Sequence, residues 1–225
     1  MLGIVDMRIW EMRDPIQVQG EQRRAEYTVF LLCPQRTDSI LDVGCGDAYQ
    51  INYVAKHKSY IVGIDVSHEK LKEGKKVVRE ANFVCASSES LPFQPKIFNK
   101  VMCLELLEHL RNPLKTLDEI DVVLKEKGIL VISVPYNERI VMTQCIHCGK
   151  LTPMYGHLHS FDEKKLSHLL PKNYVTCRQE GMGTILAAYP IFHSLPLRLW
   201  RFIDRLSGLL PGMKPCWLLS KFQKT

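Results

Sequence analysis

A glycine turn flanked by carboxylates is the segment of this sequence best suited to holding a charged ligand. It reads Leu41-Asp-Val-Gly-Cys-Gly-Asp47 and ends a short β-branched run that is typical of a buried strand. Gly44 and Gly46 have no side chains to obstruct a ligand that approaches the backbone. Asp42 and Asp47 would repel a pyrophosphate, whereas they suit a ligand that carries positive charge.

The same turn does not match the dinucleotide fingerprint. That fingerprint is G-x-G-x-x-G, with a pyrophosphate at the N-terminus of the following helix. Tyr49 occupies the third glycine position, so an NAD-dependent oxidoreductase is disfavoured.

Asp65 ends the next predicted strand, where a carboxylate can accept hydrogen bonds from both hydroxyls of a ribose. Support of a helix start at Ser67 is the alternative role for Asp65.

Strands and helices must alternate to position these residues. β-branched runs at 39–43, 60–64, 82–85, 100–104 and 128–134 are separated by segments of helical periodicity at 19–32, 48–57, 68–80, 113–125 and 162–170. This alternation indicates a parallel sheet covered by helices. Further along, the pattern predicts a long strand at 174–186, an amphipathic segment at 190–210 and a last strand at 216–222.

Five motifs follow one another in the first two thirds of the chain. They are residues 41–47, Gly63-Ile-Asp65, Ser90-Leu-Pro-Phe93, Leu104-Glu-Leu-Leu-Glu-His109 and Gly128-Ile-Leu-Val-Ile-Ser-Val-Pro135. Together they resemble the class I methyltransferases of the small-molecule type 11 group, which use S-adenosylmethionine (SAM). The resemblance covers about residues 20–136. It implies an α/β, Rossmann-like fold with a seven-stranded, mostly parallel sheet of order 3-2-1-4-5-7-6, helices on both faces, and SAM at the carboxyl ends of the strands.

The resemblance also implies a set of cofactor-binding residues. They are Asp42, Gly44, Cys45, Gly46, Asp65, Val66, Ser87, Ser88 and Leu104. In this assignment the loop holds the methionyl end of SAM, Asp65 binds the ribose and Val66 contacts the adenine. The family often has glycine at the position of Ala48 and aspartate at the positions of Ser87 and Asn99. Ser87 would therefore replace a carboxylate that binds the adenine amino group.

Three histidines are candidates for a general base in methyl transfer. The methyl group of SAM is electrophilic, so orienting the acceptor contributes most, roughly 7–11 kcal/mol. An oxygen acceptor can also need a base, usually a histidine or a carboxylate. His109 follows Glu108 after the fourth strand, while His157 and His159 lie in a loop expected to border the acceptor. A purely structural role for the Glu108-His109 pair is the alternative.

A C-x2-C pair in the acceptor-side loop is a candidate metal site. Cys145 and Cys148 precede Gly149, which suits the tight turn of a zinc knuckle, and His157 and His159 follow. Two thiolates and two imidazoles match a structural zinc site in ligand type, although the spacing is not that of a standard finger. With zinc bound, both histidines would be ligands and not bases. An accidental pair of cysteines in an irregular loop is the alternative.

The amphipathic segment has a basic face formed by Arg198, Arg201 and Arg205. Its apolar face holds Leu195, Leu199, Phe202, Ile203, Leu206, Leu209 and Leu210. Such a helix could lie on an anionic membrane or cover a lipid-like acceptor. An ordinary lid helix packed on the domain is the preferred interpretation, because each arginine contributes only about 1 kcal/mol near an acidic leaflet.

Length and composition predict one globular domain over residues 1–225. The cofactor half spans about 20–136, the acceptor-side loop 135–160 and the helical insertion 190–212. The eight cysteines do not resemble a secreted disulfide framework, and neither an export signal nor a membrane-spanning stretch is recognisable. A cytoplasmic protein is therefore expected, and peripheral membrane contact through the helix at 190–210 stays open as an alternative to the lid helix.

Methyl transfer from SAM to a small-molecule or lipid-like acceptor is the leading interpretation. A SAM-binding or zinc-binding scaffold without turnover stays open as an alternative. Nucleic acid is a disfavoured substrate, because the basic excess lies mainly in the C-terminal helix and tail and no aromatic-basic recognition module is present. The identity of the acceptor does not follow from the cofactor motifs, since acceptor loops vary on a common fold.

Overall fold

A computed structural model describes residues 15–184, 189–192 and 194–225. The strands are β1 (Ser39–Val43), β2 (Tyr60–Asp65), β3 (Asn82–Cys85), β4 (Phe98–Leu104), β5 (Leu124–Pro135), β6 (Met142–Gln144), β7 (Leu151–Pro153), β8 (Tyr174–Met182) and β9 (Trp217–Lys224). The helices are α1 (Pro15–Leu32), α2 (Tyr49–Ala55), α3 (His68–Val77), α4 (Pro113–Val123), α5 (Glu163–Leu169) and α6 (Leu197–Ser207). Short 3-10 turns occur at Leu107–His109 and Pro190–Phe192.

Seven strands form the main sheet in the order β3-β2-β1-β4-β5-β9-β8. The first five pair in parallel, whereas β9 is antiparallel to both β5 and β8. The short hairpin of β6 and β7 is separate, so β8 and β9 are the sixth and seventh strands of the main sheet. The implied 3-2-1-4-5-7-6 topology and the Rossmann-like fold class are therefore confirmed.

Buried side chains fill both faces of this sheet. Along β1, Leu41 and Val43 face one apolar cluster while Ile40 faces the other, as the period of two in a strand requires. Helices α4 and α5 cover the first face with Leu117 and Leu166 among their buried residues. Helices α1, α2 and α3 contribute to the second cluster. Within the described residues, no helix combines the length and apolar character needed to cross a membrane.

Three of the predicted helices begin at a capping side chain. The side chains of Ser67, Asn112 and Asp162 each accept a hydrogen bond from the backbone N–H group three residues ahead. Several boundaries and one element differ from prediction. The long strand at 174–186 ends at Met182, because Gly183 turns the chain with φ +81°, and residues 185–188 lie outside the described residues. The hairpin of β6 and β7 was not predicted, since its mostly exposed three-residue strands have no apolar alternation.

Helix α6 packs on the domain through its polar side. Its buried side chains are Trp200, Arg201, Asp204 and Ser207. Leu199, Phe202 and Leu206 lie on the outer side, where they are 47%, 58% and 50% exposed. A helix that covers a domain normally buries its apolar stripe. The predicted lid helix therefore lies on the domain, but its apolar face points outward.

A buried network of charges fixes this orientation of α6. Asp204 accepts hydrogen bonds from the backbone N–H groups of Gly183 (3.2 Å) and Thr184 (2.9 Å), and it pairs with Arg201. Arg201 also pairs with Glu180 of β8 at 2.5 Å. Removing one partner of a buried charge pair costs about 3–5 kcal/mol, so this network holds the polar side of the helix inward.

Candidate cofactor and acceptor site

The cofactor loop is a tight turn between β1 and α2. Gly44 and Gly46 adopt positive φ angles of 77° and 53°, and the backbone N–H groups of Gly44 and Cys45 donate to the carbonyl of Ile64 in β2. A side chain added at Gly44 would meet Leu106 at 3.0 Å. Ala48 also has a positive φ of 66°, which costs a residue with a Cβ about 1–2 kcal/mol. Glycine, as the family often has there, would remove that strain.

Asp65 connects the cofactor loop to the end of β2. One carboxylate oxygen accepts the N–H group of Gly46 at 3.0 Å, and the other accepts that of Ser67 at 2.8 Å. The helix start at Ser67 and the loop are thus both ordered by Asp65. Each carboxylate oxygen keeps a second lone pair, so the same group can also accept hydrogen bonds from a ribose.

A cavity of about 130 Å³ opens beside this loop at the carboxyl edge of the sheet. Five of the predicted cofactor residues line it: Gly44, Asp65, Val66, Ser87 and Ser88. Leu106 and Leu110, from the segment after β4, line it as well. Glu89 also lines the cavity. The sequence analysis did not predict it, although its position two residues after Ser87 could have indicated it.

The other four predicted cofactor residues do not line the cavity. Asp42 and Cys45 are buried under the loop, and Leu104 packs against the second apolar cluster. Gly46 has open space around its Cα and offers only backbone. Ser88, which does line the cavity, has its hydroxyl 3.0 Å from that of Thr116 in a buried contact.

A second cluster of polar side chains lies where the segments after β4 and β5 meet the loop before α5. Glu108, His109 and His157 each offer one atom, and these atoms lie within 4.8 Å of one another. The two imidazole rings are 4.7 Å apart between centroids and cross at 72°. Among the described residues, no other set of three or more His, Cys, Asp or Glu side chains shows this convergence.

Glu108 is fully buried in that cluster. Neither of its carboxylate oxygens has a hydrogen-bond partner within the described part of the chain. Burial and the nearby Glu105 raise the pKa of Glu108 to about 9. Without a bound cation, Glu108 is therefore a neutral acid near pH 7. Its backbone carbonyl accepts from Leu158 at 2.6 Å, which ties the acceptor-side loop to this position.

The two imidazoles of the cluster have defined tautomers. Nδ1 of His109 lies 3.3 Å from the carbonyl of Gly156, and Nδ1 of His157 lies 2.5 Å from the carboxylate of Glu138. Because both partners are acceptors, each Nδ1 carries the proton and each Nε2 keeps its lone pair. Burial and the neighbouring His157 lower the pKa of His109, which keeps its ring neutral.

A comparison with protein families agrees with this geometry. A family model described as a methyltransferase domain matches residues 41–132, which include the cofactor loop, Asp65 and the Glu108-His109 pair. Over these residues, which are less than half of the chain, the sequence matches the methyltransferase domain of the type 11 group. The residues beyond 132, including His157 and α6, lie outside the matched segment.

Two curated relatives align with part of the chain. An uncharacterised protein of Methanocaldococcus jannaschii is 32% identical over 112 residues, which are 50% of this chain and 47% of the relative. A ubiquinone biosynthesis O-methyltransferase of Coxiella burnetii is 30% identical over 98 residues, which are 42% of either protein. The chain thus spans less than half the length of each of these relatives.

Solved structures share the fold over most of the chain. The [4+2]-cyclase SpnF superposes with a TM-score of 0.68 at 17% identity, covering 95% of this chain and 84% of the cyclase. A SAM-dependent methyltransferase from Mesorhizobium loti gives a TM-score of 0.63 at 14% identity, covering 91% and 98%. At such low identity the likeness concerns the fold alone.

The four predicted zinc ligands, Cys145, Cys148, His157 and His159, do not converge on one point. Cys145 and Cys148 lie on the hairpin of β6 and β7, where the backbone N–H groups of Cys148 and His147 lower the pKa of the Cys145 thiol. His157 instead joins Glu108 and His109. Within the described residues, Cys145 and Cys148 therefore form no four-ligand site with His157 and His159.

His159 also departs from its predicted roles. Its Nε2 lies 2.8 Å from the backbone carbonyl of Leu110, and since a carbonyl only accepts, Nε2 must donate. The ring packs beside Phe161 with centroids 5.9 Å apart. His159 therefore braces the acceptor-side loop and is not part of the cluster formed by Glu108, His109 and His157.

Replacing Asp42 by asparagine is expected to stabilise the ligand-free protein above pH 7. Burial and the nearby Asp65 raise the pKa of Asp42 from 3.8 to about 7. The folded state therefore holds this proton more tightly than the unfolded state, so the free energy of unfolding falls as the pH rises from about 4 to about 7. Asparagine lacks this titration, which gives the variant an advantage on the order of 4 kcal/mol above pH 7.

Thermal unfolding without SAM, measured between about pH 5 and about pH 8, tests the Asp42→Asn prediction. The advantage of the variant should shrink as the pH falls towards 5. Asp118→Asn, on the exposed side of α4, is the matched control and should show no pH-dependent difference. Parallel profiles for Asp42→Asn and the wild type would contradict the raised pKa.

Proposed function

We propose that this methyltransferase transfers the methyl group of SAM to an oxygen atom of a small, lipid-like acceptor by in-line displacement. The cavity beside the cofactor loop supports this proposal. It is lined by Gly44 of the loop, which has a positive φ angle, and by the carboxylate of Asp65, which could bind a ribose. Leu106 and Leu110 form its apolar wall. The carboxyl edge of an open α/β sheet is where such folds bind ligands.

The cavity suggests how the cofactor would lie. Asp65 would hold the ribose hydroxyls, and Val66, which is largely exposed, would cover one face of the adenine. Glu89 or Ser87 would accept the adenine amino group in place of the aspartate frequent in the family. The methionyl end would then follow the backbone of Gly46, above the buried carboxyl of Asp42, whose ionised form a positively charged ligand would favour.

The acceptor would meet the methyl group near Glu108, His109 and His157. These residues follow Leu106 in the chain or contact that segment, so they adjoin the wall of the cofactor cavity. The curated relative from Coxiella burnetii is named as an O-methyltransferase of ubiquinone biosynthesis, which supports an oxygen acceptor. His109 and His157 are the proposed groups in contact with that oxygen.

The outward apolar face of α6 supports a lipid-like acceptor and a peripheral membrane contact. Asp204 of α6 binds the turn that follows Met182, the last residue of β8. Met182 and Pro135 pair with the same residue, Trp217, so Met182 lies at the carboxyl edge of the sheet. Exposed leucines and phenylalanine flanked by Arg198 would therefore face a membrane on the edge that carries the cofactor cavity.

Calorimetry and turnover together test the proposed function. SAM and S-adenosylhomocysteine should bind the purified full chain, whereas NAD should not. Transfer of a labelled methyl group should then be assayed with phenols that carry long apolar tails and with tail-free phenols of the same ring. Binding of NAD without SAM would restore the oxidoreductase alternative. Binding of SAM without transfer to any oxygen, nitrogen or carbon acceptor would favour the scaffold.

A further inference from the structure

We propose that Glu108, His109 and His157 form a binding site for one divalent transition-metal ion. One ligand-type atom from each residue lies within 4.8 Å of the other two, a spacing that one ion at 2.0–2.2 Å from each atom can bridge after small side-chain adjustments. This inference goes beyond methyl transfer, because binding of the ion requires neither SAM nor an acceptor.

The carboxylate of Glu108 is the first observation that points to a cation. Buried polar groups in folded proteins are almost always hydrogen-bonded, and an exception calls for an explanation. Glu108 is 0% exposed, and both of its oxygens lack a hydrogen-bond partner among the described residues. A carboxylate oxygen of Glu108 lies within 4.8 Å of an imidazole nitrogen of both His109 and His157. A bound cation would supply a partner that the described side chains do not.

The imidazoles provide a second, independent observation. Nδ1 of His109 is engaged by Gly156, and Nδ1 of His157 by Glu138. Both rings therefore present the Nε2 lone pair, the form in which histidine binds metals. A carboxylate that orients a metal-binding imidazole through its second nitrogen is a recurrent outer-sphere partner. Glu138, 2.5 Å from His157, stands in that position.

The donor set selects the class of ion. Two imidazoles and one carboxylate favour zinc, iron(II), cobalt(II) or manganese(II), whereas magnesium and calcium prefer oxygen ligands. Three protein ligands leave coordination positions open, as in catalytic and not structural sites. If the proposed methyl transfer also holds, an acceptor hydroxyl could take an open position, where the ion would lower its pKa. His109 and His157 would then bind the ion and would not act as bases.

Cobalt(II) is the best probe, because its visible spectrum distinguishes thiolate from nitrogen and oxygen ligands. The full-length double variant Cys145→Ser/Cys148→Ser removes the hairpin thiols and is the matched background. We expect this variant to bind one equivalent of cobalt(II) in equilibrium dialysis, with a ligand-field spectrum free of thiolate charge-transfer bands. Absence of cobalt(II) binding in this background would overturn the proposal.

Substitutions in the same background then locate the ion. Glu108→Gln and His157→Gln should each weaken cobalt(II) binding at least about 100-fold, while Glu138→Gln should weaken it about 10- to 100-fold. Glu163→Gln, a carboxylate paired with Tyr136 outside the cluster, is the control and should leave affinity unchanged. Thermal unfolding checks that each variant is folded. If Glu108→Gln does not fold, His157→Gln still tests the site, because His157 is only partly buried. Unchanged affinity in a folded His157→Gln or Glu108→Gln variant would contradict the site.

Discussion

Replacing Asp65 by alanine is expected to weaken SAM binding at least about 100-fold. The carboxylate orders the cofactor loop through the N–H group of Gly46 and the end of β2 through that of Ser67. Hydrogen bonds to a charged group contribute about 1.5–3 kcal/mol each. Loss of the loop contact together with one ribose contact therefore exceeds the roughly 2.7 kcal/mol that corresponds to a 100-fold change in affinity.

Calorimetric titration with SAM at fixed ionic strength measures the effect of Asp65→Ala. Glu69→Ala is the matched control, because it removes the same charge from the nearby, exposed first turn of α3. Asp65→Asn keeps the shape and one acceptor oxygen, so its affinity should fall between those of the wild type and the alanine variant. If folded Asp65→Ala binds SAM within about threefold of wild type, the cavity beside the loop is not the cofactor site.

Local patterns were sufficient to predict most of the main sheet. Parallel strands buried on both faces have nearly continuous apolar runs, and Ile40 and Leu41 illustrate this by facing opposite clusters. The turn at Gly44 was equally readable, because the positive φ that it adopts is rare in other residues. Short strands without a buried face, such as β6, have no comparable signal.

The sequence predicted neighbours in the candidate site only where residues follow adjacent parallel strands. Asp65 and Ser87 share a cavity because parallel strands end at the same edge of the sheet. Ser88 also lines that cavity, but the sequence does not show that its hydroxyl contacts Thr116 of a distant helix. The approach of Glu108 to His157 joins two loops, and no periodicity in the sequence encodes such a contact.

The orientation of helix α6 also could not be predicted from its own sequence. Its amphipathic pattern was clear in the sequence, but which face packs inward depends on partners elsewhere in the chain. Glu180 and the turn at Thr184 bind Arg201 and Asp204, and the polar face is buried for that reason. The apolar face is left to solvent, or to a membrane.

Replacing Leu199, Phe202 and Leu206 together by serine is therefore expected to weaken binding to anionic vesicles at least about 100-fold. Each of these side chains is about half exposed, so insertion into a bilayer would bury roughly half of the 1.5–3 kcal/mol that full burial of such a residue contributes. Three residues then supply about 3 kcal/mol. Because they lie on the outer side of α6, the fold and the SAM affinity should be unchanged.

Flotation of the full chain with phosphatidylserine-containing vesicles, at low and high salt, measures this membrane contact. Val77→Ser/Leu114→Ser/Val122→Ser is the matched control, since it removes three side chains that are 59%, 47% and 49% exposed on α3 and α4. Arg198→Gln should lower binding only at low salt, because its attraction to the leaflet is screened. Two results would contradict the membrane contact: a wild-type chain that does not float, or a triple α6 variant that floats as well as the control. Either result would show that the outward apolar face of α6 does not bind a membrane.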